Sequence, residues 1–337
     1  MPNVFAFAIG LSRRNAQGDP LDYFYPAPIM APDAELADLV AARFPFGVSQ
    51  ASPEAIAAFS ADLGADGAVP EMQALAEADK PLDVVLLQDD AEITTTADAY
   101  LKLHLLSHRL ALPNTLNLDG IFAHLPNVVW TSRGPLDPRE FTQTQIQARL
   151  QEQNLEVLLV DKFPRMTNYV IPSGVRIADS SRVRLGAYIG EGTTVMHEGQ
   201  INFNAGALGP NMVEGRISQG VILGEHSDLG GSSSTMGTLS GGGEIKITIG
   251  SYCLVGANAG TGIPLGDRCT IEAGLYITAG TPVCLLDEDG NEVREVKARE
   301  LAGGSDMLFV RNGRSGRIEC RTNRNAIELN EQLHAHN

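Results

Sequence analysis

The sequence predicts a parallel β-helix built from six-residue repeats, preceded by a mixed α/β domain and followed by a short β-rich tail. Three observations carry this reading. Branched aliphatic residues return every sixth position as Ile171, Ile177, Val183, Ile189, Val195 and Ile201, and the count runs on to Ala207 and Val213. It restarts as Ile217, Leu223 and Leu229, then as Ile249 and Val255, and again as Leu265, Ile271, Ile277 and Val283. Glycine often follows the aliphatic, as at Gly190, Gly224, Gly230, Gly250, Gly256 and Gly266, and a small residue commonly stands two positions before the next one, as at Thr193, Ser227, Ser233, Cys253, Ala259, Cys269 and Thr281. A period of six fits neither an α-helix nor an alternating strand, but it suits a short flat strand followed by a corner, three such units closing one triangular turn. The aliphatic points inward, where burying each Val or Ile is worth roughly 1.5–3 kcal/mol. The glycine answers a corner that needs positive φ or a close backbone approach.

At 337 residues, with 43% hydrophobic and 20% charged side chains, the chain has the composition of an ordinary soluble protein with room for two or three domains. The boundaries read as 1–165 for the α/β domain, 166–283 for the β-helix and 284–337 for the tail. A net charge of −16 and a pI near 4.8 argue against a nucleic-acid partner and against a polybasic membrane contact. The N-terminal MPNVFAFAIGLSRR puts its apolar run before its basic pair, the reverse of a signal peptide, and no stretch approaches a transmembrane span; the expectation is a cytoplasmic protein. Cys253, Cys269, Cys284 and Cys320 form no CxxC pair and are expected to be reduced and partly buried.

Within the first domain, Val4–Leu11, Leu82–Leu87, Val128–Trp130 and Val157–Val160 read as strands. Pro32–Arg43 reads as a helix beginning beside Asp33, and Ser52-Pro53-Glu54 opens another, with Ser as N-cap and Pro in the first turn. Thr96–Leu110 and Arg139–Gln153 are further helices. His104 and His108 stand four apart, a spacing that can hold a metal, but with no third ligand nearby the structural reading is preferred. The domain holds 22 acidic and 11 basic residues and is expected to present a solvated acidic face.

The repeat is broken in three places. The aliphatic advances by four, not six, from Val213 to Ile217, which puts Glu214 and Arg216 at an irregular corner, and there is a second slip of four from Thr261 to Leu265. Between Thr235 and Ile249 the run Met236-Gly237-Thr238-Leu239-Ser240-Gly241-Gly242-Gly243-Glu244 is too glycine-rich for a strand. It is either a flexible excursion or a loop whose amides can face a ligand. It is neither a phosphate loop of the nucleotide-hydrolase type, since no Lys-Ser/Thr pair follows, nor a dinucleotide fingerprint. A zinc-dependent β-helical carbonic anhydrase would need three coil histidines, where residues 166–283 have only His197 and His226. After Val283, residues 285–293 read as a hairpin with Asp-Gly in its turn. Phe309–Asn325 then carries Arg311, Arg314, Arg317, Arg321 and Arg324 against Glu319 alone, a local reversal of sign that suits an anionic ligand.

The runs Val195–Gly199, Asn202–Gly206, Met212–Ser218, Met236–Gly243 and Glu272–Tyr276 closely resemble the tetrahydrodipicolinate N-succinyltransferases, in particular their actinobacterial and pseudomonad branch. The resemblance covers most of residues 160–325 and, more loosely, the first domain. It implies a left-handed coil, a homotrimer with active sites between neighbouring β-helices, and transfer of a succinyl group from succinyl-CoA to the amino group of a ring-opened small-molecule acceptor in diaminopimelate and lysine synthesis. By the same resemblance Glu214 is the carboxylate that accepts the acyl group and Gly237 the oxyanion amide. Arg216, Gly231, Ser234, Ala257, Glu272, Ala273, Gly280 and Lys297 line the succinyl-CoA site. Arg311, Asn312 and Gly313 fall where the nucleotide end binds, although they depart from the family's usual double Arg. Glu198 matches a carboxylate that binds magnesium on the trimer axis; the family's second acidic position is Ser181 here, with Asp179 nearby. The rival readings are transfer of another acyl group to another amine, and a catalytically silent β-helical scaffold.

Overall fold

The computed structural model describes residues 3–63, 70–241 and 244–322, so Gly242, Gly243 and Arg324 lie outside the described residues. The chain divides into two compact units, the first made of residues 1–111, 115–164 and 168–170, the second of the remainder. Among the described residues no helix is long and apolar enough to cross a membrane.

In the first unit, strands β1 (Ala6–Arg14), β2 (Pro20–Phe24), β3 (Ile29–Met30), β4 (Gly47–Ala51) and β5 (Leu82–Leu87) form an antiparallel sheet of order β2-β1-β5-β4, with β3 on β1. Helices α1 (Ala34–Arg43) and α2 (Pro53–Asp62) start where the caps require: the Asp33 side chain accepts from Leu36 N–H and Ser52 from Ala55 N–H. Helix α3 (Pro70–Ala76) also contributes to the core with Phe7, Ile9, Phe44, Phe59 and Val84. Helix α4 (Thr96–Ser107) begins at a Thr95–Asp98 capping box and is buried over nearly its whole length. A second antiparallel sheet joins β6 (Val128–Thr131), β7 (Gly134–Leu136) and β8 (Val157–Asp161), with α5 (Pro138–Leu150) between β7 and β8.

Most described acidic residues of this unit are exposed, as a solvated acidic face requires, but four are drawn inside. Asp22, Asp83, Asp98 and Asp137 are buried, and each is held by hydrogen bonds. Tyr169 Oη donates to Asp22 Oδ2 at 2.6 Å, and Arg13 also pairs with Asp22. Lys102, 1% exposed, donates to Asp90 Oδ1 and to the carbonyls of Ala91 and Asn117, each at 2.6 Å. Buried charges persist only when matched in this way.

The second unit is the coil. Its first face stacks Arg176–Ile177, Thr194–Val195, Met212–Val213, Asp228–Leu229, Leu254–Val255 and Thr270–Ile271 in parallel. The second face stacks Gln200–Ile201, Arg216–Ile217, Ser234–Thr235, Gly260–Thr261 and Tyr276–Ile277; the third stacks Ala187–Ile189, Ala205–Ala207, Ile222–Leu223 and Thr248–Ile249. From Val183 to Val283 the repeat aliphatics are at most 2% exposed, and Thr235 and Thr261 fill the same inward slot. Ile171 departs from the expected frame: it is 77% exposed, because the third face has no strand before Ala187–Ile189 to complete a turn around it.

Corner geometry separates the two roles proposed for glycine. The glycine directly after the aliphatic answers close approach: a Cβ at Gly190 would lie 2.0 Å from Leu208 O, and one at Gly256 2.5 Å from Ala273 N. Positive φ falls two residues later, at Gly192, His226, Ser232, Tyr252, Asn258, Arg268 and Gly274 among others. The small-residue slot is buried, and its side chains bond from turn to turn: Cys253 N–H donates to Ser227 Oγ and Cys269 N–H to Cys253 Sγ. All four cysteines are free and buried.

The tail belongs to this unit. A hairpin of Pro282–Leu286 and Glu292–Lys297 and a second of Met307–Arg311 and Ile318–Thr322 are joined through Cys284 and Leu285, paired with Glu319 and Cys320. Met307–Arg311 also adds a parallel rung beyond Thr270–Ile271, where Phe309 is fully buried.

Candidate active site

Each turn of the coil meets the second face at two corners, and the expected site residues fall on that face and along both its edges. On the edge shared with the first face, Glu198, Glu214, Gly231, Ala257 and Ala273 lie in successive turns just past the first-face strands. The turns are locked by backbone bonds from Ser232 N–H to Glu214 O (3.2 Å), Asn258 N–H to Gly231 O (2.9 Å) and Gly274 N–H to Ala257 O (2.8 Å). One rung further, Glu272 Oε2 accepts from Arg311 N–H at 2.7 Å, which attaches the Arg311-Asn312-Gly313 turn to the same column.

The slip from Val213 to Ile217 has a definite consequence. Two residues fewer make the corner at Glu214–Gly215 shallow, while the turns on either side keep full corners. The half-buried Glu214 carboxylate and the exposed Glu198 carboxylate converge on Gly231: a Cβ there would lie 3.4 Å from Glu214 Oε2 and 3.8 Å from Glu198 Oε2. Ser232 Oγ donates to Glu198 Oε2 at 2.6 Å, reaching past the intervening turn. Arg182 Nη2 holds the Glu198 carbonyl from the other side at 2.9 Å.

On the face itself, Arg216, Ser234, Gly260 and Tyr276 make one outward row. Arg216 and Tyr276 are exposed, and a Cβ at Gly260 would meet the Tyr276 ring at 2.3 Å, so the aromatic ring lies over the glycine. The far edge, shared with the third face, carries the glycine-rich loop. This loop is a tight antiparallel excursion: Leu239 N–H donates to Ile245 O and Ile247 N–H to Gly237 O. Among the described residues the Gly237 N–H itself finds no acceptor. Ala279 N–H donates to Ser240 Oγ at 2.6 Å, bringing the Gly280 loop against it, and Ala298 N–H to Thr281 O brings Lys297 alongside.

Glu214 and Gly237 are therefore on opposite edges of the second face, separated by the width of a strand, and within one chain the structure does not bring them to a common point. Of the basic tail, Arg317 is bound by Glu292 and Glu295, and Arg311 donates to Gly316 O. Arg314 and Arg321 are exposed, without a side-chain partner among the described residues. Glu198 alone does not make a metal shell: among the described residues no group of three His, Cys, Asp or Glu side chains could hold an ion. His104 and His108 are not one either. His104 Nδ1 donates to Tyr100 O at 2.7 Å and Nε2 accepts from Tyr25 N–H at 3.3 Å, occupying both nitrogens, and burial pushes its pKa down to about 3. Ser232 was not singled out from sequence; its only signal there is its place three residues past Leu229, the left-handed position of the repeat.

Comparison with known proteins identifies the family. Residues 125–165 match the family model for the middle segment of tetrahydrodipicolinate N-succinyltransferase, and residues 246–279 match that for the hexapeptide repeat of succinyl-transferase. The chain is 56% identical to the 2,3,4,5-tetrahydropyridine-2,6-dicarboxylate N-succinyltransferase of Pseudomonas putida, covering 99% of both chains, and 52% identical to that of Vibrio cholerae at the same coverage. A crystal structure of a Campylobacter jejuni protein described as a 2,3,4,5-tetrahydropyridine-2-carboxylate N-succinyltransferase superposes with a TM-score of 0.88 at 30% identity, over 97% of this chain and 94% of that one. With its antiparallel α/β first unit, left-handed parallel β-helix and antiparallel C-terminal strands, the chain belongs to the tetrahydrodipicolinate N-succinyltransferase family.

Proposed function

We propose that succinyl transfer takes place along the second face of the coil, with Glu214 at its chemical end and the Arg311–Gly313 turn at its far end. The chain is an acyltransferase of the diaminopimelate and lysine pathway, using succinyl-CoA as co-substrate. The observation that carries the assignment of the site is the convergence of the family-matched residues on one face and its two edges. From Glu214 through Gly231, Ala257 and Ala273 to Arg311 is four turns, or roughly 19 Å at the usual spacing of strands, a strip suited to an extended thioester such as succinyl-CoA. Arg216 and Lys297 supply positive charge beside it, toward the succinyl carboxylate and the CoA phosphates.

Two roles are open to Glu214. As nucleophile, its carboxylate oxygen attacks the thioester carbonyl and CoA leaves as thiolate; the acceptor amine then attacks the resulting anhydride and returns the carboxylate. As general base, it takes a proton from the acceptor ammonium, and the neutral amine attacks the thioester directly. In either case an oxyanion develops on the acyl carbonyl, and the Gly237 amide is a donor for it. The placement of Glu214 and Gly237 on opposite edges of one chain's coil supports a site completed by a second copy, in the homotrimer that the family resemblance implies. Glu198 from three copies, each offering one carboxylate oxygen to a hard cation such as magnesium and keeping the other on Ser232, fits the same arrangement, and the cation would take no part in the bond changes of the transfer. The acceptor is ring-opened tetrahydrodipicolinate, and the setting is cytoplasmic.

Glu214→Gln is expected to lose activity about a thousandfold or more while keeping its fold; a folded, fully active variant rejects both roles. Quenching succinyl-CoA plus enzyme with hydroxylamine, without acceptor, separates them: a succinyl hydroxamate, or a hydroxamate at Glu214, marks the anhydride. Absence of a CoA burst marks the base. Mixed trimers of Glu214→Gln with a Gly237→Pro chain, which lacks the amide hydrogen, should regain activity that neither homotrimer has. Failure to regain it rejects a site shared between chains.

A further inference from the structure

We infer that Ser232 is a positioning residue for the transfer, clasping the Glu198 carboxylate across the shallow Glu214 corner. The inference rests on Glu214 acting in the reaction and adds a residue that touches neither the thioester nor the amine. Ser232 is bonded on both sides: its backbone N–H donates to Glu214 O at 3.2 Å and its hydroxyl to Glu198 Oε2 at 2.6 Å. No other residue of the corner column ties down both acid-bearing turns among the described residues.

The backbone adds independent weight. Ser232 sits at φ +59°, in the left-handed region that costs an ordinary L-residue energy and that Asn and Gly tolerate better. The equivalent positions one and two turns on are Asn258 (φ +54°) and Gly274 (φ +75°), the residue types the conformation favours. Serine at this turn accepts the strain and supplies a short donor. Glycine would remove the strain but take away the donor that holds the Glu198 carboxylate where it now stands, beside Glu214, with both carboxylates within 4 Å of a Cβ at Gly231. The clasp fixes where the second negative charge stands when the acyl group arrives, and misplacing a group around a reacting centre by about 1 Å is worth up to a hundredfold in rate.

Three substitutions separate the hydrogen bond from the strain. Ser232→Gly removes both, Ser232→Ala removes the hydroxyl and keeps the strain, and Ser232→Asn keeps a donor in a residue that tolerates the conformation. The clasp predicts that the Gly and Ala variants lose roughly tenfold or more in kcat, with KM for succinyl-CoA within about twofold. The Gly variant should melt no lower than the parent, and the Asn variant should recover most of the rate. A Gly variant with kcat within about twofold of the parent overturns the inference. So does a loss of kcat that follows loss of the oligomer's mass or melting temperature, which would make Ser232 a structural residue only. Glu214→Gln run in parallel keeps the two ideas apart: if it is active, the reading of Glu214 fails, and if it is dead while Ser232→Gly is normal, only the clasp fails.

Discussion

The two units differ in how much charge they bury, although the coil too buries a carboxylate, Asp228. In the first, charges are drawn inside: Lys102, Asp22, Asp83 and Asp98 are buried, and each is held by partners that come from several strands and loops. In the coil the interior is a column of aliphatics, and the candidate chemistry stands on the outside, at corners. A repeat with one plan makes any departure from that plan conspicuous, so the shortened corner at Glu214 and the excursion after Thr235 stand out. The first unit has no plan to depart from, and its buried charges look, in the sequence, like ordinary surface ones.

The sharpest way to break this comparison is to place a charge in the coil's interior column. Ile189→Asp puts an unpaired carboxylate where exposure is 0%, with no partner of the kind the first unit provides, and should cost several kcal/mol. Thermal unfolding and the mass of the assembly would report it. A parent-like melting temperature would mean that the column is not the coil's core. The matching control is Ile171→Asp, at the same position of the repeat but 77% exposed, which should leave the melting temperature unchanged.

A smaller effect sharpens the first unit's side of the contrast. Burial pushes the His104 pKa down to about 3, so this imidazole is neutral when folded, and burial lowers the pKa of His108 as well. In the unfolded chain they titrate near 6.5. Between those values the unfolded chain binds more protons, so this contribution is complete above about pH 6.5 and is lost as pH falls toward 3. Trp130, the only tryptophan and buried in this unit, offers a fluorescence probe of its unfolding. The transition should move to lower temperature between pH 7 and pH 5, and His104→Gln should flatten that slope. A parent transition that is flat over this range would mean His104 is not held neutral.

The smallest expected effect concerns the edge of the second face. Lys297→Ala, in an exposed side chain beside the Gly280 loop, should raise KM for succinyl-CoA several-fold and leave stability alone, with a smaller difference from the parent at high salt. An unchanged KM would make Lys297 a solvated charge, as Arg317 already is a partner of Glu292 and Glu295 rather than a free cation.

The coil was legible because its determinants are local and periodic. Val183 to Val283 announce their inward direction by spacing alone, and the caps at Asp33 and Ser52 act on amides within three residues. Much of the first unit was not. Pro20–Phe24 and Gly47–Ala51 are strands because of what they pair with, and Asp22 is buried because Arg13 and Tyr169 reach it from distant positions.

The sequence by itself determined the period, the inward column and the three breaks in the repeat, since each depends on residues within a few positions of one another. Only the tertiary structure decided which glycines serve close approach and which positions take positive φ, because that depends on the turn stacked above. It also decided that Glu198, Glu214 and Ser232 meet at one corner. Residues 16 to 34 apart become neighbours only when whole turns stack, and no spacing rule marks serine 232 as the one that reaches across.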